Sequence, residues 1–239
     1  MGTIGIELGG PERFGPGARQ PAVWFDPAYG VTLAGVLGIS QWIDKASGFV
    51  MLPGTGSSSF AVRTNDPLLG NRRSIYLNNV NYQSNPNYWL ASAALSLGPQ
   101  IPQPITVYAA VVIPASLPIA WLVFRSPSTS GTVYLGIDAT TLTMGASAPQ
   151  ITAPAPPAGA HVLAAVFNGA DSALYVDSSL APVATGAVGA SQGLISNVRI
   201  GPISLGIQGM TIALPNADTP DQVAQMFSFL GDFYSQPWS

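Results

Sequence analysis

Cysteine is absent from the 239 residues, which excludes disulfide staples, thiolate catalysis and cysteine-ligated zinc. Charge is scarce too. Asp, Glu, Lys and Arg make up 8% of the chain, against about 25% in an average soluble domain. Disorder of the usual kind combines low hydrophobicity with high charge. This chain is 47% hydrophobic with a formal net charge of −3, so it should fold. A surface so poor in Lys and Glu is not kept soluble by charge. Either partners cover much of it, or it consists of Ser, Thr, Asn, Gln and small apolar side chains.

Long apolar runs are missing as well. No stretch of about 18 apolar residues occurs, and "MGTIGIELGG" lacks a basic region followed by an apolar core, so neither a membrane span nor a signal peptide is expected. The eight Lys plus Arg are scattered through an acidic chain, which argues against nucleic acid as a partner. Arg72 and Arg73 are adjacent; the pair reads as a solvated turn or a partner salt bridge rather than a phosphate clamp.

What is abundant is turn chemistry. The chain holds 26 Gly and 22 Pro, residues that supply positive φ or pre-set φ near −65° at reversals. Between them lie short apolar or alternating runs, among them "AVWFD", "ITVYAAVVI", "TVYLGID", "HVLAAVF", "ALYVD" and "GMTIAL". This spacing is that of an antiparallel sandwich. Its 239 residues suit one large all-β domain, with no composition change to divide it. Residues 1–20, rich in Gly with Pro11 and Pro16, read as an extended arm. The Pro-rich stretch 147–160, "SAPQITAPAPPAGA", reads as an ordered connection into the next strand.

One helix is expected, near the end, over "TPDQVAQMFSFLGDFY". Thr219 is placed to cap it, with Pro220 at the first helical position, Asp221 in the first turn and Gln222 completing a capping box. Val223, Met226, Phe227 and Leu230 share one face, which should pack on the sandwich. "HVLAAVF" and "ALYVD" are joined by Asn168-Gly169 and read as a hairpin.

Catalytic chemistry is thin. His161, the single histidine, opens an apolar strand, and no G-x-S-x-G elbow accompanies it, so it reads as a strand-edge histidine with a hydrogen-bonded ring. Both glutamates, Glu7 and Glu12, lie in the arm. Glycoside hydrolysis needs two carboxylates on one face, and Asp138, Asp171 and Asp177 occur where Asp is a common turn residue. No D-x-D-x-D-G loop is present, so no calcium site is assigned. No catalytic, metal or cofactor residue is therefore expected.

The stretch "IYLNNVNYQSNPNYWL", 75–90, has a different character. Tyr76, Asn78, Asn79, Tyr82, Asn85 and Tyr88 interleave aromatic faces, which stack on sugar rings, with neutral amides, which bond hydroxyl groups. These six are candidate glycan-binding residues. The alternative reading makes Tyr76, Tyr88 and Trp89 core strand residues and the Asn cluster turns.

Several segments, taken in order, resemble a known group. "PAVWFD" at 21–26, "GISQWIDKASG" at 38–48, "HVLAAVFNGADSALYVD", "VRIG" at 198–201, "GMTIAL" and a last helix ending "FLGDFY" are similar to the concanavalin A-like, laminin-G-like jelly-roll domains of many bacteriophage virion proteins. Trp24, Asp26, Ser40, Gln41, Trp42, Asp44, Lys45 and Gly48 fill the group's opening pattern, and Ala46 lengthens its Lys-Ser-Gly turn by one residue. The resemblance implies an all-β, antiparallel two-sheet jelly-roll sandwich over residues 21–239, with a short C-terminal helix and the arm at 1–20. Relatives that cleave glycosides carry a glutamate-rich strand, and lectin relatives an Asp and Asn calcium loop. Neither is found here.

The leading expectation is a non-enzymatic structural protein of a bacteriophage virion: a capsid decoration, head-fibre or tail-associated subunit. It would bind other virion proteins and its own copies, with no cofactor, nucleic acid or membrane. Ile4, Ile6, Leu8, Arg13 and Phe14 would make the arm's contacts. The alternative is a carbohydrate-binding module for host-surface glycans. A hydrolase using Asp138 or Asp171 ranks last.

Overall fold

The computed structural model of the chain describes residues 19–34, 38–53, 60–77, 90–92, 100–115, 120–128, 131–178, 180–194, 198–202 and 206–239. The arm residues Ile4, Ile6, Leu8, Arg13 and Phe14 lie outside them. Among the described residues the strands, numbered along the chain, form two large antiparallel sheets and a small ribbon. The first sheet runs, in lateral order, β16 (Ala184–Gly186), β15 (Ser172–Val176), β14 (Gly159–Phe167), β9 (Ile105–Ile113), β19 (Gly206–Leu214), β6 (Arg72–Leu77) and β5 (Phe60–Asp66). In this sheet β1 (Val23–Phe25) pairs with the second half of β19, beyond the stretch that β6 occupies.

The second sheet runs β13 (Gln150–Pro154), β12 (Thr141–Ala146), β11 (Gly131–Asp138), β10 (Ala120–Ser128), β18 (Arg199–Pro202), β7 (Leu90–Ser92), β4 (Val50–Pro53), β3 (Gly38–Ile43) and β2 (Val31–Ala34). The ribbon pairs β17 (Gly193–Leu194) with β8 (Gln100–Ile101). The protein is thus an all-β sandwich, with one α-helix among the described residues, α1 (Pro220–Tyr234), at its C-terminal end.

Side chains alternate across a strand, and here the alternation divides two apolar layers. Ile105, Val107, Ala109, Val111 and Ile113 of β9 point between the sheets, where they meet Leu163, Ala165 and Phe167 of β14 and Val133, Leu135 and Ile137 of β11. The Phe25 and Trp42 rings, 5.1 Å apart, belong to the same layer. On the opposite face of the first sheet, Tyr108, Ala110 and Val112 join Val162, Ala164 and Val166 under Val223, Met226, Phe227 and Leu230 of α1. All nine residues of β9 and all nine of β19 are consequently buried. Fully burying each Val, Leu, Ile or Phe contributes about 1.5–3 kcal/mol.

The helix takes the form its sequence predicts. The Thr219 hydroxyl accepts from the Gln222 N–H, the Gln222 side chain accepts from the Thr219 N–H, and Pro220 opens the first turn. The Pro-rich stretch 147–160 differs from its expectation as a connection. Its middle forms β13, which pairs with β12 and buries Ile151 and Ala153 while Gln150, Thr152 and Pro154 stay exposed. Proline is compatible with a strand there because β13 is an edge and its outer side needs no donor. The hairpin is present as expected: β14 pairs with β15 around a tight turn at Gly169–Asp171, where Gly169 has φ +57°.

Candidate functional site

Helix α1 covers the outer face of the first sheet, which leaves the outer face of the second as the open sheet surface among the described residues. Strict alternation builds it. In β11, Val133, Leu135 and Ile137 are buried while Thr132, Tyr134, Gly136 and Asp138 point outward, half-buried. Thr141 and Thr143 of β12 and Gln150 and Thr152 of β13 continue the face. Registry then sets residues from distant parts of the sequence side by side. Across the sheet, Gln150 pairs with Gly145, Gly145 with Tyr134, Tyr134 with Arg125 and Arg125 with Arg199. The row goes on to Ala91 and Leu52, and Leu52 is 43% exposed.

Tyr134 leans over Gly145. A methyl group at 145 would stand 2.8 Å from Tyr134 Cε1 and 3.1 Å from Gln150 Cγ, so the missing side chain lets the ring settle on the neighbouring strand beside Gln150. Burial raises the Tyr134 phenol above its ordinary value, and the hydroxyl stays neutral, able to donate and accept. An aromatic ring, an amide, threonine hydroxyls and a guanidinium therefore share one flat face. With strands about 4.8 Å apart, the four positions from Gln150 to Arg125 extend over ~14 Å. This set suits a polyhydroxylated ligand: the ring takes an apolar sugar face, and the polar groups take its hydroxyls.

The residues singled out from sequence fare differently. Tyr76, on β6, is half-buried and packs against the layer beneath α1. It lines an open groove of about 400 Å³ whose other walls include Leu68, Val112, Ile113, Pro114 and Ile207. Those walls are aliphatic. Asn78, Asn79, Tyr82, Asn85 and Tyr88 lie outside the described residues. The members of the sheet-face row went unnoticed in the sequence, because Tyr134, Gly145 and Gln150 are brought together by strand register and carry no linear motif.

The titratable candidates are engaged in local structure. The Asp138 carboxylate accepts from the N–H and hydroxyl of both Thr140 and Thr141, at 2.6–3.2 Å, and these bonds hold it below the usual carboxylate range. It closes the turn between β11 and β12. Asp171 sits in the β14–β15 turn of the other sheet. His161 Nδ1 lies 2.6 Å from Asp177 Oδ2 and its Nε2 lies 2.8 Å from the Pro157 carbonyl oxygen. Asp177 Oδ1 also accepts from the Val162 N–H at 2.9 Å. Among the described residues, no group of three or more His, Asp or Glu is placed to hold a metal ion. Nor is any helix among them long and apolar enough to cross a membrane.

No protein-family model matches the sequence, and no curated protein matches it. Solved structures do match the fold. The receptor binding domain of botulinum neurotoxin type G aligns over 91% of this chain and 54% of its own, with TM-score 0.60 and 10% identity. A mutant of Trypanosoma rangeli sialidase displaying trans-sialidase activity aligns over 91% of this chain and 34% of its own, with TM-score 0.56 and 13% identity. Domain 4 of AbnA, an extracellular arabinanase of Geobacillus stearothermophilus, in complex with arabinotriose, aligns over 90% of this chain and 98% of its own, with TM-score 0.57 and 15% identity. The chain spans about a third of the sialidase and about half of the neurotoxin domain. Together these likenesses show the β-sandwich fold.

Proposed function

We propose that the protein is a non-catalytic carbohydrate-binding module that holds a glycan along the outer face of its nine-stranded sheet. The carrying observation is the seating of Tyr134 on Gly145, in register with Gln150 on one side and Arg125 on the other. The ring is fixed before a ligand arrives, which lowers the ordering cost of binding. Domain 4 of the arabinanase, which the chain matches over nearly all of that domain's length, is described in complex with arabinotriose, and this supports the choice of ligand class. A glycan array probed with the full chain tests it. Retention of at least one oligosaccharide is expected, and Tyr134→Ala should weaken it about tenfold, or ~1.4 kcal/mol. Because the site is on the surface, stability should change by only about 0.5–1 kcal/mol. Unaltered retention by Tyr134→Ala would remove the face from consideration.

The second reading is the virion assembly subunit, and one observation favours it. Arg19, within the arm read over residues 1–20, forms an ion pair with the buried Asp218. Asp218 also accepts from the Tyr108 hydroxyl at 2.5 Å and lies just before the helix cap. A partner gripping residues 1–18 would therefore be fastened to the sandwich at its helix. Failure to retain any glycan, together with an oligomer in light scattering that dissociates when residues 1–18 are removed, would favour this reading.

A further inference from the structure

A second polar site lies away from the open sheet face. The β1–β2 loop, the turn between β5 and β6 and the end of α1 enclose a cleft of about 230 Å³ lined by Asp26, Ala28, Asn71, Arg72, Arg73 and Phe233. Asp26 and Arg72 are held in place by the fold. Asp26 is 7% exposed; its Oδ1 accepts from the Ala28 N–H at 2.9 Å, and its main-chain carbonyl accepts from Trp42 Nε1 and the Tyr29 N–H. The Arg72 Nε donates to the Phe233 carbonyl at 3.0 Å, and the guanidinium lies 4.7 Å from the centre of the Phe233 ring. Asn71 is fixed in the left-handed region, φ +59°, with its N–H donating to the Asp66 carbonyl at 2.7 Å.

Acid and base share this cleft without joining. The ion pairs among the described residues are Arg19–Asp218 and His161–Asp177, so Asp26 is paired with neither arginine. The second carboxylate oxygen of Asp26 takes no hydrogen bond among the described residues. An anionic ligand would meet Asp26 as a like charge, and a cation would meet the Arg72 guanidinium. A hydroxyl group avoids both penalties, since it donates to a carboxylate and accepts from a guanidinium at once. Two adjacent hydroxyls on a ring satisfy the fixed acceptor and the fixed donors together.

We infer that this cleft binds a single sugar ring through a pair of vicinal hydroxyls. Asp26 accepts from the hydroxyls, Arg72 and Arg73 donate to them, the Asn71 amide completes the polar set and Phe233 forms the apolar wall. The site stands on its own geometry and does not depend on the sheet face.

Saturation-transfer NMR on the full chain tests it, with a panel of methyl glycosides of glucose, mannose, galactose and arabinose, and methyl 3-deoxyglucoside, which lacks vicinal ring hydroxyls, for comparison. At least one glycoside with vicinal hydroxyls is expected to receive saturation. Asp26→Asn keeps an acceptor for the Ala28 N–H but removes the charge, and should weaken that binding at least tenfold. Arg73→Ala, at an exposed position, should weaken it likewise and decides the matter should Asp26→Asn not fold. Leu180→Ser, at an exposed position outside both sites, should leave it unchanged. No transfer from any glycoside, or equal binding by wild type and the folded cleft variants, would overturn the inference. Transfer lost in Tyr134→Ala but kept in the cleft variants would support the sheet face and overturn the cleft.

Discussion

His161 is held between two acceptors, the Asp177 carboxylate and the Pro157 carbonyl, an arrangement that suits an imidazolium donating from both nitrogens. Burial alone would lower its pKa, but the bond to Asp177, the charge of Asp177 and the bond to Pro157 outweigh it, so the value is raised. A raised folded pKa means that the stabilisation is fully present below the unfolded value of about 6.5 and is lost as pH rises through the folded value. The melting temperature should therefore fall as pH is taken from mildly acidic to mildly alkaline, and His161→Gln should flatten that slope. An identical slope in the variant would show that another group carries it. That the ring would be hydrogen-bonded at a strand end was legible in the sequence. Its partner was not named, although Asp177 lies in the same hairpin, because the hairpin register decides which return-strand residue faces position 161.

Between elements, a buried tyrosine hydroxyl ties the helix to the first sheet. β19 shifts register against β9 between Gln208 and Thr211, and the Tyr234 hydroxyl accepts the buried Met210 N–H at 2.7 Å. Gly209 makes room, since a methyl group there would stand 2.8 Å from that hydroxyl and 3.1 Å from Ala110 Cβ. Burial holds the Tyr234 phenol far above its ordinary range, so it remains a neutral partner. Tyr234→Phe strands a buried donor and should cost about 1–3 kcal/mol in denaturant unfolding, with the fold retained; a change of only a few tenths would mean the N–H finds another partner. The helix itself was readable residue by residue, because caps and a 3.6-residue period are local signals. β13 was misread because its prolines suggested a connection; the buried alternation of Ile151 and Ala153 was the competing sign. The Tyr134 row was illegible, for lateral strand order follows from pairings far apart in sequence.

For the whole molecule, the low charge acquires a structural explanation. The middle strands of one sheet, β9 and β19, are buried on both faces and have no solvated side to charge. The open face of the other uses Thr132, Thr141, Thr143, Thr152 and Gln150 where many proteins place Lys and Glu. A low-charge surface of this kind meets neutral hydroxylated ligands with little ion desolvation. Among the described residues, large exposed apolar residues are few and scattered in the sequence, Leu180 at 93% being the most exposed, and single residues of that kind are normal on a protein surface. The central claim is that a glycan lies across Tyr134. Its most direct test is amide chemical-shift mapping of the isotopically labelled full chain titrated with the best oligosaccharide from the array. The account predicts perturbations centred on Arg125, Tyr134, Gly145 and Gln150. Shifts confined to other surfaces, or none at saturating ligand, would contradict it.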